Sequence, residues 1–264
     1  MIDTHTHLYF ADEYPDGGAA AVDRALAAGV SHMILPNVSL DSMEPLLALH
    51  HARPEATSVA VGLHPEDIDA DWRPKVEDVF ARFADESPVA VGEVGIDLYH
   101  DTTFRIQQMD AFGEQLERAA GLDLPVIIHC REGLDETLHI LGLMGERVPR
   151  MVFHSFTAGP AELERITSAF PEAFIGINGV VTFKNAPDLR EAVARCEPSR
   201  ILLETDSPYL APVPKRGRTN ESSLLCHIRD CVAATCGLPP AELERITDTN
   251  AKRLFTKCRF PQTS

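Results

Sequence analysis

Eight short, almost continuously apolar segments recur along this chain of 264 residues, and stretches with helical periodicity separate them. The segments begin about 23 to 36 residues apart, which is the length of one strand, one helix and two connections. We predict that these segments are strands. They span residues 1–7, 30–37, 58–64, 89–93, 125–129, 151–154, 174–178 and 201–206.

The apolar character of these segments determines how they can pair. Strands that are apolar on both faces are typical of parallel sheets covered by helices, and connections of this length require parallel pairing. Eight such units in about 250 residues predict an α/β fold, the (β/α)8 TIM barrel. No linker or block of charge divides the chain, so residues 1–264 are predicted to form a single domain.

Two shorter patterns predict local structure. The octapeptide PAELERIT occurs at 160–167 and again at 240–247, and a proline followed by acidic residues is typical of a helix start. The segment 211–220, APVPKRGRTN, is rich in proline and basic residues and is predicted to be a loop.

Composition limits the partners and the location. Twenty-four Lys and Arg against forty Asp and Glu give a net charge of −16, which repels a nucleic-acid backbone at long range. A nucleic-acid partner must therefore be held by local contacts. The N-terminal sequence lacks a basic, apolar leader and no long apolar stretch follows, so we expect a cytoplasmic protein without membrane contact. Six cysteines without CxxC spacing predict unpaired thiols.

Polar residues end most of the predicted strands, where TIM barrels carry their active sites. His5 and His7 are two residues apart on one predicted strand, so their side chains are expected on the same face. One histidine at a strand end is more often structural, but several such positions together predict a metal centre with histidine and carboxylate ligands. The residues at these ends are His5, His7, His64, Glu93, His129, His154 and Asp206.

These residues lie in motifs through which the chain resembles the TatD family of metal-dependent deoxyribonucleases, a branch of the amidohydrolase-like barrels. The resemblance runs from the first strand to the last helix. The motifs are IDTHTHL at 2–8, VGLHPED at 61–67, VGEVGIDLYHD at 91–101, QLERAAGLDLPVIIHCRE at 115–132, MVFHSFTAG at 151–159 and ILLETDSPYLAP at 201–212.

The resemblance implies two divalent metal ions, Mg²⁺, Mn²⁺ or Zn²⁺, and a place for the substrate. His64 is expected beside the scissile phosphate, and Arg131 near the substrate. Two positions depart from the family pattern: Ser155 stands where cysteine is frequent, and residues 218–222 read RTNES in place of a basic turn. The implied ligands are His5, His7 and Asp206 for one ion, His129 and His154 for the second, and Glu93 as a bridge.

Hydrolysis of a phosphodiester by water activated between two ions is the predicted chemistry. Asp206 is expected to accept a proton from the attacking water, Glu93 to bridge the ions, and His64 to steady charge on the phosphorus. His64 precedes Pro65, and the alternative is a structural histidine at the entry to a turn.

Substrate contacts are expected from residues around the predicted site. Lys215, Arg216 and Arg218 follow the eighth strand and, with Arg131, are predicted to hold a DNA end weakly and without sequence preference. The alternative is a solvated basic loop. Three aromatic residues near strand ends are expected either to stack on unpaired bases or to pack on the barrel rim. These are Tyr9, Phe10 and Tyr99.

The predicted function is a metal-dependent 3′–5′ exonuclease acting on DNA, with two alternatives. One is an amidohydrolase-like or phosphotriesterase-like enzyme that cleaves a C–N or ester bond in a small molecule. Such enzymes often bridge their ions with a carbamylated lysine at the end of the fourth strand, where this chain has Glu93. The other alternative is a barrel that binds without catalysis, which the complete set of predicted ligands argues against.

Overall fold

A computed structural model describes residues 1–261, and eight parallel strands form its centre. Each strand pairs with the next in sequence order, and a helix follows each strand, which confirms the predicted TIM barrel. The strands are β1 Ile2–Asp3, β2 His32–Pro36, β3 Thr57–Val61, β4 Ala90–Asp97, β5 Val126–Arg131, β6 Met151–Phe153, β7 Phe174–Ile177 and β8 Ile201–Leu203.

Nine α-helices surround the strands within the described residues. The two PAELERIT copies begin α6 and α9, as predicted, and residues 211–220 contain neither helix nor strand, as predicted. The helices are α1 Gly18–Ala27, α2 Met43–Ala52, α3 Trp72–Arg82, α4 Arg105–Leu122, α5 Leu134–Leu143, α6 Pro160–Ala169, α7 Pro187–Arg195, α8 Leu225–Cys236 and α9 Pro240–Leu254.

Four strands end three or four residues away from their predicted ends. β1 ends at Asp3, β3 at Val61 and β8 at Leu203, earlier than predicted, whereas β4 continues to Asp97. Asp206 has a left-handed backbone (φ 55°), which a regular strand cannot contain. The apolar pattern of β4 is interrupted by glycines, and one of them, Gly95, allows close pairing with β5: a Cβ there would lie 1.9 Å from the carbonyl oxygen of His129.

The first and last strands meet through backbone hydrogen bonds beyond their regular parts. The amide of Thr4 donates to the carbonyl of Leu203 (3.1 Å), and the amide of Asp206 donates to the carbonyl of His5 (3.0 Å). We call this junction the β1–β8 seam. The segment after β1 thus stays extended between its neighbours, and the carboxyl ends of the first and last strands are held side by side.

An apolar cluster closes the amino end of the barrel. Every strand contributes one residue to it, among them Ile34, Ile127 and Leu202, and α9 covers it with Leu254 and Phe255. Because all eight strands take part, the cluster fills the interior at that end. Complete burial of each large aliphatic side chain contributes roughly 1.5 to 3 kcal/mol to the stability of the fold. The apolar cluster therefore stabilises the barrel that holds the polar residues at the other end.

Two further observations concern the described part of the chain. All six cysteines are unpaired there, as predicted. Across residues 1–261, the helices are too short or too polar for one of them to traverse a lipid bilayer.

Candidate metal centre

The structure brings the polar strand-end residues together around a cavity of about 560 Å³ at the carboxyl end of the barrel. His5 lies beneath the cavity and is fully buried. The other predicted ligands line it together with His64: His7, Glu93, His129, His154 and Asp206. Three groups of these residues place their nitrogen and oxygen ligand atoms within 4.8 Å of one another.

The first group consists of His5, His7 and Asp206. The Nε2 atoms of the two histidines face each other at 3.0 Å. Oδ1 of Asp206 lies 3.8 Å from Nε2 of His5 and 3.7 Å from Nε2 of His7. Two imidazole nitrogens and a carboxylate oxygen form a donor set that suits a divalent ion such as Zn²⁺ or Mn²⁺.

Glu93 lies between this group and the remaining histidines. Its Oε2 is 3.2 Å from Nε2 of His5, and its Oε1 is 2.9 Å from Nε2 of His154 and 2.8 Å from Nδ1 of His129. The two oxygens of one carboxylate therefore face different sets of histidines, which is the geometry expected of a bridging ligand.

A buried tyrosine determines the protonation of His7. Tyr9 Oη donates to the carbonyl oxygen of Pro36 (2.5 Å), which can only accept, and so Tyr9 accepts from Nδ1–H of His7 (2.8 Å). This leaves the lone pair of His7 on Nε2, facing the first group. Tyr9 is buried and contacts a proposed ligand, so of the two alternatives predicted for it the structure supports packing and not stacking on a base.

Two carboxylates orient the histidines of the second set. Oδ2 of Asp97 lies 2.7 Å from Nε2 of His129, and the side chain of Gln108 holds the backbone of Asp97 on both sides. Oε1 of Glu204 lies 3.3 Å from Nδ1 of His154. In both His129 and His154, one ring nitrogen faces Glu93, and the nitrogen on the far side of the ring faces a second carboxylate. Such partners fix the orientation of metal-ligating histidines.

Space for Glu204 depends on a glycine in the neighbouring strand. A Cβ atom on Gly176 of β7 would lie 2.3 Å from Oε2 of Glu204. The backbone amide of Ser155 also donates to Oε1 of this carboxylate. The absence of a side chain at one position in β7 therefore admits a buried carboxylate next to His154.

His7 carries its proton on Nδ1, whereas His64 carries it on Nε2. Its Nδ1 accepts from the backbone amide of Glu66 (3.2 Å), so the neutral ring carries its proton on Nε2. Nε2 lies 3.4 Å from Oε1 of Glu93 and faces the cavity. A protonated nitrogen is a donor and not a ligand, so this geometry favours the predicted contact with substrate, although His64 also lies within one of the three groups.

Burial and charge shift the pKa values in the centre in opposite directions. Burial acts to raise the pKa of Glu93, but the charges of His154 and His5 outweigh it and hold that pKa well below its usual value. Burial raises the pKa of Asp206 to about 6. Burial lowers the pKa of His5 to about 4. Burial acts to lower the pKa of His154, but Glu93 and Glu204 outweigh it and hold that pKa well above its usual value. Because a metal ion binds neutral imidazole, an ion held here would displace the proton from such a ring.

The β1–β8 seam carries a buried carboxylate that joins two ligand segments. Asp3 accepts from the amide of Thr205 (2.9 Å), from the hydroxyl of Thr205 (2.6 Å) and from the amide of His5 (3.4 Å). Asp3 thereby ties Thr205, which precedes Asp206, to His5. Two ligands separated by most of the chain are positioned through one side chain.

The predicted substrate contacts are only partly at the cavity. Arg131 lines it, with its guanidinium 3.7 Å from the centre of the Tyr99 ring. Lys215, Arg216 and Arg218 are not among the lining residues, and Arg216 packs over the ring of Phe183 at 4.1 Å. Their predicted role in DNA binding stays a prediction.

The divergent turn at 218–222 has a structural role. Asn220 is buried and donates to the carbonyls of Thr205 (2.8 Å) and Tyr209 (2.7 Å). The turn therefore ties the loop after β8 to the segment that carries Asp206, and this contact accounts for the asparagine in it.

Sequence reasoning missed Asp97, Glu204 and the role of Tyr9. Asp97 is the last residue of β4, so it obeys the same strand-end pattern as the ligands, and predicting the full strand would have found it. Glu204 directly follows β8 and offers a similar signal. The role of Tyr9 depends on a contact with Pro36 of β2, which no local pattern indicates.

Comparison with known proteins places the whole barrel in one group. The family model described as TatD related DNase matches residues 2–256. The chain is 34% identical over 240 residues to the 3′-5′ ssDNA/RNA exonuclease TatD of Salmonella typhimurium, covering 89% of this chain and 91% of that protein. It is 31% identical over 261 residues to the metal-dependent hydrolase YabD of Bacillus subtilis, covering 97% and 98%.

Solved structures agree with the sequence comparison. The crystal structure of YJJV, a TatD homologue from Escherichia coli K12, superposes with a TM-score of 0.86 at 29% identity, covering 97% of this chain and 98% of that chain. Amidohydrolase structures share the barrel at 16 and 17% identity, and so low an identity shows the fold alone.

Proposed function

This chain belongs to the TatD family of metal-dependent nucleases, and we propose that it is an exonuclease that shortens single-stranded DNA from the 3′ end. The observation that carries the proposal is the position of Glu93, whose two oxygens face two separate sets of histidines. Two divalent ions, Mg²⁺, Mn²⁺ or Zn²⁺, are the proposed cofactors, and a DNA end is the proposed partner.

The proposed division of the ligands between the two ions follows the family resemblance. His5, His7 and Asp206 would hold one ion, His129 and His154 the other, with Glu93 shared. Oε1 of Glu93 lies 2.8 Å from Nδ1 of His129 and 2.9 Å from Nε2 of His154. Ions held there supply positive charge that neutralises phosphoryl oxygens and acidifies water. The buried donor set of neutral nitrogens and carboxylate oxygens fits such ions better than a monovalent cation.

Asp206 is the proposed acceptor of the proton from the attacking water. Its Oδ1 faces His5 and His7, and its carboxylate also lines the cavity, so it reaches both the ligand group and the substrate. Its left-handed backbone (φ 55°) directs the side chain into this position. Strained backbone of this kind is common at functional sites.

His64 is the proposed donor to the phosphate. Its Nε2–H faces the cavity because the amide of Glu66 occupies Nδ1. A fixed donor near the phosphorus steadies the negative charge that grows on the oxygens during attack. Arg131 lies on the same cavity and is proposed to contact the next phosphate.

A small-molecule amide or ester is the second candidate substrate. The amidohydrolase barrels share the fold, but a lysine bridge is their common device, and here the end of β4 carries Glu93 and Asp97. The unpaired cysteines favour a reducing compartment, and the proposed location stays the cytoplasm.

Time-resolved cleavage of single-stranded DNA tests the proposal. A strand labelled at its 5′ end is incubated with the purified protein and Mg²⁺ or Mn²⁺, beside a chelator control and the Asp206→Ala variant. A ladder that shortens from the 3′ end, absent from both controls, is the expected result. Cleavage within the strand would contradict exonuclease action, and hydrolysis of amides or small esters without DNA cleavage would favour the second candidate.

The variant His64→Ala separates the two roles open to that histidine. Because Nε2 carries the proton, its removal is expected to lower the rate while bound metal, measured by elemental analysis, stays the same. Loss of one equivalent of metal in this variant would instead make His64 a ligand.

A further inference from the structure

Two tyrosines are the only exposed aromatic residues among the Phe, Tyr and Trp side chains of residues 1–261. Tyr99 is 50% exposed and Tyr209 is 55% exposed, whereas the other rings are buried or half-buried. Large aromatic side chains normally contribute to the core. Exposure of these two, and of no others in the described chain, needs an explanation other than packing.

Both tyrosines stand at the carboxyl end of the barrel, on opposite sides of the metal centre. Tyr99 follows β4 and Tyr209 follows β8. The strands lie in sequence order, so β4 and β8 are four strands apart in a barrel of eight. Tyr209 lines the cavity, whereas Tyr99 does not line it but contacts Arg131, which does. A ligand that crosses the cavity and continues past Arg131 therefore meets one tyrosine on each side.

Neighbouring side chains hold both rings in place. The guanidinium of Arg131 lies 3.7 Å from the centre of the Tyr99 ring. The ring of Tyr209 meets the edge of Phe10 with 6.4 Å between centres, and Phe10 is itself stacked on His7 at 5.2 Å. Rings that are supported in this way lose little freedom when a second flat group packs on them.

The charges around the cavity make phosphate contacts a weak source of affinity. Arg131 is the one lysine or arginine among the described residues that line it. Five carboxylates line the same cavity: Glu66, Asp67, Glu93, Asp97 and Asp206. The proposed ions would offset the charges of Glu93 and Asp206 and attract the scissile phosphate, but the phosphates further along the strand meet one fixed cation, Arg131, beside the remaining carboxylates. A nucleic acid must therefore gain binding energy there from groups other than its phosphates.

We propose that Tyr99 and Tyr209 stack on unpaired nucleobases on either side of the scissile phosphate, and that this two-sided contact selects single strands. The proposal rests on the proposed nuclease function. Every base has a π face, so stacking tolerates any sequence, whereas the bases of a duplex are stacked on each other and offer no free face. Arg131, held by Tyr99, contacts the phosphate next to the scissile one.

The proposal is tested with two single strands of the same length and backbone. One strand carries normal bases, and the other carries abasic residues at its 3′ end. Tyr99→Ala and Tyr209→Ala are each expected to lower kcat/KM on the normal strand about tenfold, the usual effect of losing one stacked base, and to leave the abasic strand unaffected. Tyr99→Phe and Tyr209→Phe keep the ring and are expected to retain activity.

Leu143→Ala serves as the matched control, because Leu143 is 69% exposed on α5 and does not line the cavity. It is expected to leave kcat/KM unchanged on both strands. Equal losses on both strands in the tyrosine variants would show that the rings support the fold or the backbone contact and would overturn the proposal. Full activity of both alanine variants on the normal strand would overturn it too.

Binding in the presence of a chelator separates this proposal from the proposed function. The probe is a short fluorescein-labelled single strand, followed by anisotropy. If the wild-type protein cleaves neither strand, the nuclease proposal fails. Stacking is then supported only if the normal strand binds more tightly than the abasic strand and the tyrosine variants remove the difference. Equal binding of the two strands overturns it.

Discussion

Buried histidines lie at both ends of the barrel, but their neighbours differ. At the amino end, His32 of β2 is buried, and its Nε2 lies 2.9 Å from Ser58 Oγ and 3.3 Å from Cys258 Sγ. At the carboxyl end, His129 and His154 face carboxylates at every ring nitrogen. The same residue type therefore meets neutral partners in one place and anionic partners in the other.

The partners decide what each histidine can do. Burial lowers the pKa of His32 to about 4, so this ring is neutral and joins a hydroxyl and a thiol. Burial also acts to lower the pKa of His129, but hydrogen bonds to Asp97 and Glu93 outweigh it and raise that pKa to about 9. The carboxylates at this end favour a cation beside them, which is either the protonated ring or a metal ion that replaces the proton.

The volume of the cavity at each end does not indicate which end is the functional one. A larger cavity, of about 960 Å³, adjoins His32 and Ser58 at the amino end and is lined by apolar and polar residues in similar numbers. The smaller cavity at the carboxyl end has the converging nitrogen and oxygen donors. The carboxylates that face a histidine therefore indicate a functional site better than the volume of the neighbouring cavity does.

Removal of the carboxylate of Glu93 is expected to cause the largest loss of activity at the carboxyl end. Glu93→Gln keeps the size of the side chain but removes the charge that faces both sets of histidines, so turnover is expected to fall on the order of a thousandfold. Circular dichroism should show an intact fold, and metal analysis should show less than the wild-type content. Glu66→Gln, which changes a carboxylate on the same cavity but outside the three donor groups, should keep most activity.

Neutralising a supporting carboxylate should have a smaller effect. Asp97→Asn leaves His129 in place but removes the negative charge at its Nε2, so affinity for Mn²⁺ is expected to fall about ten- to one-hundredfold. Titration with Mn²⁺ measures this affinity. Asp101→Asn, on the exposed loop after β4, is the control, and an unchanged affinity in Asp97→Asn would mean that Asp97 supports only the fold.

Two buried tyrosines provide a matched pair for the next effect. Tyr9 Oη donates to the carbonyl of Pro36, and Tyr14 Oη donates to the carbonyl of Asn220. Both phenylalanine variants are expected to lose about 1 to 2 kcal/mol of unfolding free energy, because each leaves a buried carbonyl unpaired. Only Tyr9→Phe should also weaken Mn²⁺ binding, by about tenfold, since it alone touches a ligand. Equal metal affinity in the two variants would refute the role of Tyr9.

The smallest effect on activity is expected at the amino end. His32→Gln should leave turnover at neutral pH unchanged, but it should alter how stability depends on pH. The folded-state pKa of His32, about 4, lies below its ordinary value of 6.5, so the unfolded chain binds the proton first and stability falls as pH falls through this window.

The loss due to His32 amounts to about 3 kcal/mol across that window. Urea unfolding with a chelator present, at several pH values between 6.5 and 4, measures it as the difference between the wild-type protein and His32→Gln. Parallel curves for the two proteins would show that His32 contributes nothing to the acid sensitivity.

The barrel and the convergence of strand-end residues could be predicted because both follow from simple periodic rules. Continuous apolar segments separated by helices dictate a parallel barrel, and the carboxyl ends of its strands meet at one face. His129 and His154 thus come together although 25 positions separate them. β8 ends before its predicted end, because hydropathy gives no sign of the left-handed conformation of Asp206.

Contacts between strands and the course of the loops could not be predicted. Which nitrogen of His7 or His64 carries a proton depends on Tyr9 and on the amide of Glu66, neither of which has a distinctive pattern. The basic loop after β8 was expected at the cavity, but Arg216 packs over Phe183. Charge in a sequence shows where cations occur, and only the folded chain shows what they face.

The β1–β8 seam has a consequence for the synthesis of this protein. Asp206 and the hydrogen bonds of Thr205 to Asp3 become available only after about 200 further residues have been added beyond His5. Until then the first donor group has its two histidines but lacks its carboxylate. The proposed metal centre can therefore form only after the first and last strands have met.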